Sequence, residues 1–169
     1  WGRAGLAETL ETLEEAGIPF VGAGRDHEEA AHPAVLAGTA GHRLLVFAAG
    51  HGDSGIPADW AADETRAGVH FLPHLDDETV EQLAELVDSH RQPGDTVVFS
   101  IHWGSNWGYQ IPEAHQRFAH AMIDVAGVDA HRVGRRERSR YRCRLLLVSE
   151  RFDAEPAGLR IVERTDRCR

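Results

Sequence analysis

The chain of 169 residues contains no lysine: all 18 of its cations are arginines, set against 27 acidic residues and a formal net charge of −9. That balance, with an isoelectric point near 5.6, argues against general affinity for nucleic acid across the chain, and no specific nucleic acid is expected. Cysteine is nearly absent, with Cys143 and Cys168 alone. Two cysteines without CxxC spacing specify neither a zinc site nor a disulfide framework. No stretch approaches the roughly 18 consecutive apolar residues that a membrane-spanning helix needs. The first residues also lack a charged start followed by an apolar core.

Charge is unevenly placed. Residues 1–131 hold 6 Arg and 21 acidic residues, a balance of −15, whereas residues 132–169 hold 12 Arg and 6 acidic residues, a balance of +6. The change of character near His131 divides the chain into a unit at 1–131 and an Arg-rich tail at 132–169. Such a tail is either a basic arm for polyanions or the product of a reading-frame slip in a GC-rich gene.

The most informative stretch is Thr96-Val97-Val98-Phe99-Ser100-Ile101 and the residues after it. Four β-branched residues and a Phe among six predict a strand buried on both faces, introduced by the turn at Gly94-Asp95. His102 stands where this strand ends. In an open α/β sheet, ligands collect outside the carboxyl ends of strands, so an imidazole there is a candidate metal ligand; the alternative is a core histidine bonded to backbone. Beyond it, Trp103-Gly104-Ser105-Asn106-Trp107-Gly108-Tyr109 sets two indoles and a phenol in a glycine-rich loop. That loop reads as an aromatic plug over the sheet edge or as a rigid wall beside a polar ligand.

Elsewhere the pattern alternates helix and strand. Leu6, Leu10 and Leu13 predict an amphipathic helix stopped by Gly17. Ile18-Pro19-Phe20-Val21 reads as a short strand, and Gly22-Ala23-Gly24-Arg25 as a plain turn, since no phosphate-loop pattern follows. Asp26 caps a helical turn through Ala31. Two strands, Pro33 to Leu36 and Arg43 to Ala48, form a hairpin across residues 38–42. His51 and Asp53, in the glycine-rich loop that follows, are either polar site residues or part of a solvated loop, the second being preferred. Trp60 is expected to bury its indole over the core.

His70, His74, Asp76 and Asp77 resemble a ligand cluster, but Asp76 is better explained as the cap of a helix over residues 78–91, with Val80, Leu83 and Val87 inward. His70 and His74 are then exposed loop residues. The last clear helix spans residues 112–125, with Phe118, Met122 and Val125 as its buried stripe. His115 and His120 lie about 140° apart around it and cannot act as a ligand pair. Gly127-Val128-Asp129 opens a further strand, and residues 144–148 and 159–162 are strand candidates in the tail.

Residues Ser100 to Tyr109, followed by Ile111-Pro112 and Gln116-Arg117-Phe118-Ala119-His120, resemble the capsule-biosynthesis proteins of the CapA type. Trp1-Gly2-Arg3-Ala4-Gly5-Leu6, Ala16-Gly17-Ile18-Pro19, Val21-Gly22-Ala23-Gly24 and Ser54-Gly55-Ile56-Pro57 resemble the same bacterial family in its usual order, so the likeness covers residues 1 to about 129.

The resemblance implies an incomplete metallophosphoesterase-like α/β sandwich with a mixed sheet, lacking its N-terminal part. It also implies a role in capsule or poly-γ-glutamate production, frequently at a membrane or cell surface. A phosphoesterase of this kind uses divalent metal ions: two cations about 4 Å apart activate water and neutralise phosphoryl oxygens. Of the ligand motifs in proteins of this type, His102 of the His-Trp-Gly loop is the one matched here. The early Gly-Asp and Asn-Asn-His motifs are expected upstream of Trp1, and His131 lies near a later ligand position among neighbours that do not fit.

The expectation is therefore a metal-dependent phosphoesterase-like protein with little or no activity as this fragment. His102 is its metal and catalytic residue, and Trp103, Gly104, Asn106, Trp107 and Tyr109 face the substrate. The partner is then the capsule or poly-γ-glutamate polymer or a phosphorylated substrate. An unpaired sheet edge left by missing strands predicts self-association. A non-catalytic module holding polymer or sugar on the aromatic loop, residues 103–109, is the alternative.

Overall fold

The computed structural model describes residues 2–38, 41–104, 111–135, 142–148 and 161–162, with side chains through Asp129. It is a mixed α/β arrangement. Helix α1 (Gly2–Glu15) precedes strand β1 (Ala23–Gly24), helix α2 (His27–Ala31), and strands β2 (Ala34–Ala37) and β3 (Arg43–His51). Strands β4 (Gly68–Val69) and β5 (Phe71–Leu72), helix α3 (Asp77–His90), strand β6 (Thr96–His102) and helix α4 (Glu113–Asp124) follow. Strands β7 (Ala130–Arg135), β8 (Arg142–Val148) and β9 (Ile161–Val162) end the series.

Seven strands form one sheet in the order β2-β3-β6-β7-β8-β9, with β5 beside the carboxyl end of β3. Strands β3, β5, β6 and β7 run parallel, whereas β2, β8 and β9 are antiparallel to their neighbours. The parallel register aligns Phe47 with Phe99 and Gly50 with His102. β1 and β4 form a separate two-stranded ribbon. Past residue 131, β7 to β9 continue the main sheet; the side chains of the Arg-rich tail, Cys143 and Cys168 lie outside the described residues.

Parallel strands need long crossovers, and α3 and α4 supply them. Both cover one face, where Leu45, Phe47, Val97, Phe99 and Ile101 pack against Val80, Leu83, Val87, Phe118 and Met122. β6 is thus buried on alternate residues, not throughout: Thr96, Val98 and Ser100 on the opposite face are half-buried. The caps follow the sequence, with Asp26 accepting from the Glu29 N–H at 2.8 Å and Asp76 from the Thr79 N–H at 3.0 Å.

Several expectations are corrected. Residues 18–21 form no strand; pairing begins at Ala23. Trp60 is 44 % exposed, because it ends a 3-10 turn (Ala58–Trp60) whose backbone, not its indole, meets the Gly68 strand. Val125 is 59 % exposed at the C-cap of α4, and Ala119 and Ile123 complete the buried stripe instead. His70 is no surface residue. Its Nδ1–H donates to the Ala48 carbonyl at 3.1 Å, its N–H to the Gly22 carbonyl, and its own carbonyl accepts from Gly50. Burial lowers its pKa.

The amino ends of the parallel strands are tied by charge. Arg43 of β3 makes a two-pronged bond to Asp95, whose side chain is only 3 % exposed, at 2.9 and 2.5 Å. Asp129 accepts from the Val97 N–H at 2.8 Å, and Arg91 donates to the Gly127 carbonyl at 3.0 Å. The Arg43 hydrogen bond holds the Asp95 pKa down at about 2, with help from the Gln92 N–H. A carboxyl depressed in the folded state stabilises fully above its unfolded value near 3.9, and that contribution is lost as pH falls toward 2. The melting temperature is therefore expected to drop between pH 5 and pH 2, and Asp95→Asn to flatten that dependence while lowering the plateau. An unchanged slope in a thermal-melt series would remove Asp95 from the acid response.

Candidate functional site

The site forms at the carboxyl ends of β3, β5 and β6. His102, the last residue of β6, is exposed and follows Val98 and Ser100 onto the face away from α3 and α4. The strand ladder fixes its backbone between Gly50 of β3 and Gly134 of β7. At Gly50 an added Cβ would fall 2.3 Å from Ile56 Cδ1, so glycine lets the loop after β3 fold back over the strand end.

His51, beside Gly50, points to the other face. Its Nδ1–H donates to the Leu72 carbonyl at 2.7 Å, which leaves Nε2 with the free lone pair in the neutral ring. The Ser54 hydroxyl donates to the His51 carbonyl at 2.7 Å and closes the 3-10 turn Gly52–Ser54. This turn presents Asp53. Its Oδ1 accepts from the Gly104 N–H at 2.9 Å, and its Oδ2 accepts from His115 Nε2–H at 2.7 Å. Asp53 is exposed, as the preferred reading of a solvated loop expects, yet both of its carboxylate oxygens are bonded to other elements.

Trp103 is 1 % exposed and faces the core, the reverse of His102, as strand alternation requires. Its indole stacks on the buried His115 ring at 4.6 Å with the planes 4° apart, and meets the edge of Phe118 at 5.9 Å. A substrate-facing role for Trp103 is thus replaced by a core role. The Gly104 amide, also expected to face substrate, is taken by Asp53. Asn106, Trp107 and Tyr109 lie outside the described residues.

His115 is the residue that the sequence left without a role. A usable signal existed: it sits three and four residues before Phe118 and Ala119, on the inward stripe of α4. His70, His74, Asp76 and Asp77 do not converge on one point, since His70 bonds to β3 and Asp76 caps α3. Among the described residues, no three His, Cys, Asp or Glu side chains are grouped so as to hold a metal ion. These residues alone therefore do not fit a metal centre. No helix among the described residues is long and apolar enough to cross a membrane.

Fold and site together define an α/β protein with a histidine displayed at the carboxyl edge of parallel strands, next to a buried Trp and His joined to an exposed Asp. Comparison with known proteins narrows this. Residues 1–131 match the family described as bacterial capsule synthesis protein PGA_cap, and the chain belongs to that family. A probable polyglutamine synthesis accessory protein of Mycobacterium tuberculosis is 39 % identical over 132 residues, covering 76 % of this chain and 34 % of that protein. The capsule biosynthesis protein CapA of Bacillus anthracis is 26 % identical over 129 residues, 76 % of this chain and 30 % of that protein. The chain thus spans about a third of the length of these relatives.

Proposed function

We propose that this chain is part of a capsule or poly-γ-glutamate synthesis protein of metallophosphoesterase-like fold, in which His102 is one ligand of a divalent-cation site acting on a phosphorylated substrate or the polymer. The observation that carries the reading is the placement of an exposed imidazole at the end of a rigid central strand, in a family named for capsule synthesis. The described residues supply no second and third ligand grouped with it, so no step is routed through a metal here. What they do supply is a fixed main chain: the ladder on either side of His102 and the Asp53 bond to Gly104 just after it hold the backbone at the strand end. Bound cations would polarise a phosphoryl oxygen and lower the pKa of a coordinated water.

With no second and third ligand grouped with His102 among the described residues, weak cation binding and little phosphoesterase turnover are expected of this chain by itself. Equilibrium dialysis against Mn²⁺, with hydrolysis of p-nitrophenyl phosphate esters in the same samples, tests the assignment. His102→Ala is expected to weaken Mn²⁺ retention at least tenfold, and equal retention by the variant would refute the ligand role. The edge strand β2, with Val35 48 % and Leu36 38 % exposed, supports self-association, which sedimentation of those samples reads directly.

A further inference from the structure

Two contacts reach the two residues after His102 from elements far away in sequence, and a third joins the partners to each other. The Gly104 N–H is bonded to Asp53, 51 positions earlier; Asp53 is bonded to His115, 62 positions later; and the His115 ring lies flat on Trp103. Gly104 has φ +86°, a left-handed conformation open to glycine, which aims its N–H at the carboxylate. His115 must carry its proton on Nε2 to make the 2.7 Å bond, the opposite tautomer to His51 and His70. A buried imidazole stacked on an indole and bonded to a carboxylate is more than space-filling, since an apolar side chain would pack there without needing a partner.

We propose that Asp53 and His115 are positioning residues for His102: the carboxylate, held by the His115 ring, pins the backbone at Gly104, two residues after His102, and so selects the His102 side-chain rotamer. The physical link is short. Rotamer preference follows backbone φ and ψ; the ladder fixes the chain entering His102, the last residue of β6, while its ψ depends on where the following peptide, leading into Trp103, is held. From Trp103 onward, stacking and the carboxylate take over. Whether His102 then holds a cation rests on the function proposed above; that Asp53 and His115 orient it does not.

NMR of the ¹⁵N,¹³C-labelled chain separates the two claims. Three-bond couplings are expected to show one dominant χ1 rotamer for His102, and long-range ring correlations to show His115 as the Nε2–H tautomer. In Asp53→Ala the His102 couplings are expected to average over rotamers, and the Gly104 amide to exchange at least tenfold faster, with a cooperative melt retained. Asp53→Asn is expected to restore the rotamer, because its carbonyl still accepts from Gly104 while its amide donates to a re-tautomerised His115; a tie that depended only on charge would not recover. If Asp53→Ala does not fold, His115→Gln, which keeps a donor to Asp53 but loses the stacking, carries the same readout with partial averaging expected. Unchanged His102 couplings in the folded variants would overturn the proposal. Mn²⁺ retention that ignores His102→Ala would overturn only the function above.

Discussion

Phe99→Ala is expected to lower the free energy of unfolding by about 4 kcal/mol, read as a fall in the urea midpoint with an unchanged slope. Phe99 is fully buried, and its ring lies parallel to that of Phe47 at 5.7 Å. The two are direct partners in the parallel ladder, so the contact joins the strands that flank the site. Truncation removes the transfer free energy of the ring and leaves a cavity between strands whose hydrogen bonds prevent collapse. Domains are typically stable by only 5–15 kcal/mol, so about 4 kcal/mol is a large share. Val98→Ala, one residue away on the half-covered face, is expected to cost about 1 kcal/mol. Equal losses at 98 and 99 would show that both faces of β6 are equally packed, contrary to the arrangement described.

Gly24→Ala is the second large effect, expected to destabilise by about 3 kcal/mol through overpacking. A methyl group at Gly24 would lie 2.3 Å from the Ala30 nitrogen and 2.7 Å from the Glu29 carbonyl carbon, both backbone atoms of α2. Backbone cannot rotate aside, so α2 must move away from β1. The damage is local first: amide exchange in α2 and the β1–β4 ribbon is expected to accelerate more than in β6. Gly50→Ala provides the contrast, because the obstacle at 2.3 Å is the tip of the flexible Ile56 side chain, and the expected cost is below about 1.5 kcal/mol. Similar melting temperatures for the two variants would contradict this distinction.

What the sequence made legible was local. β6 announced itself through β-branched residues, α2 and α3 through Asp26 and Asp76, and the β2–β3 hairpin through its glycines. The place of His102 at a strand end followed from the first of these. The misreadings share a cause, which is that tertiary contacts decided them. Strands of two residues, such as β4 and β5, carry no periodicity, so His70 read as loop although its main chain bridges Gly22 and Gly50. Trp60 read as core because indoles are usually buried, yet its turn is held through backbone packing. The link between Asp53 and His115 spans 62 positions, and no spacing rule reaches that far.

The parallel strands are anchored differently at their two ends. At the amino ends, Arg43, Asp95, Arg91 and Asp129 clamp β3, β6 and the approach to β7 with ionic contacts independent of anything near His102. Loops at the opposite end can accordingly be exchanged, lengthened or redesigned without unfastening these ties, provided that Trp103 keeps its place in the core. Chemistry at the rim is free to diversify while the foundation stays put.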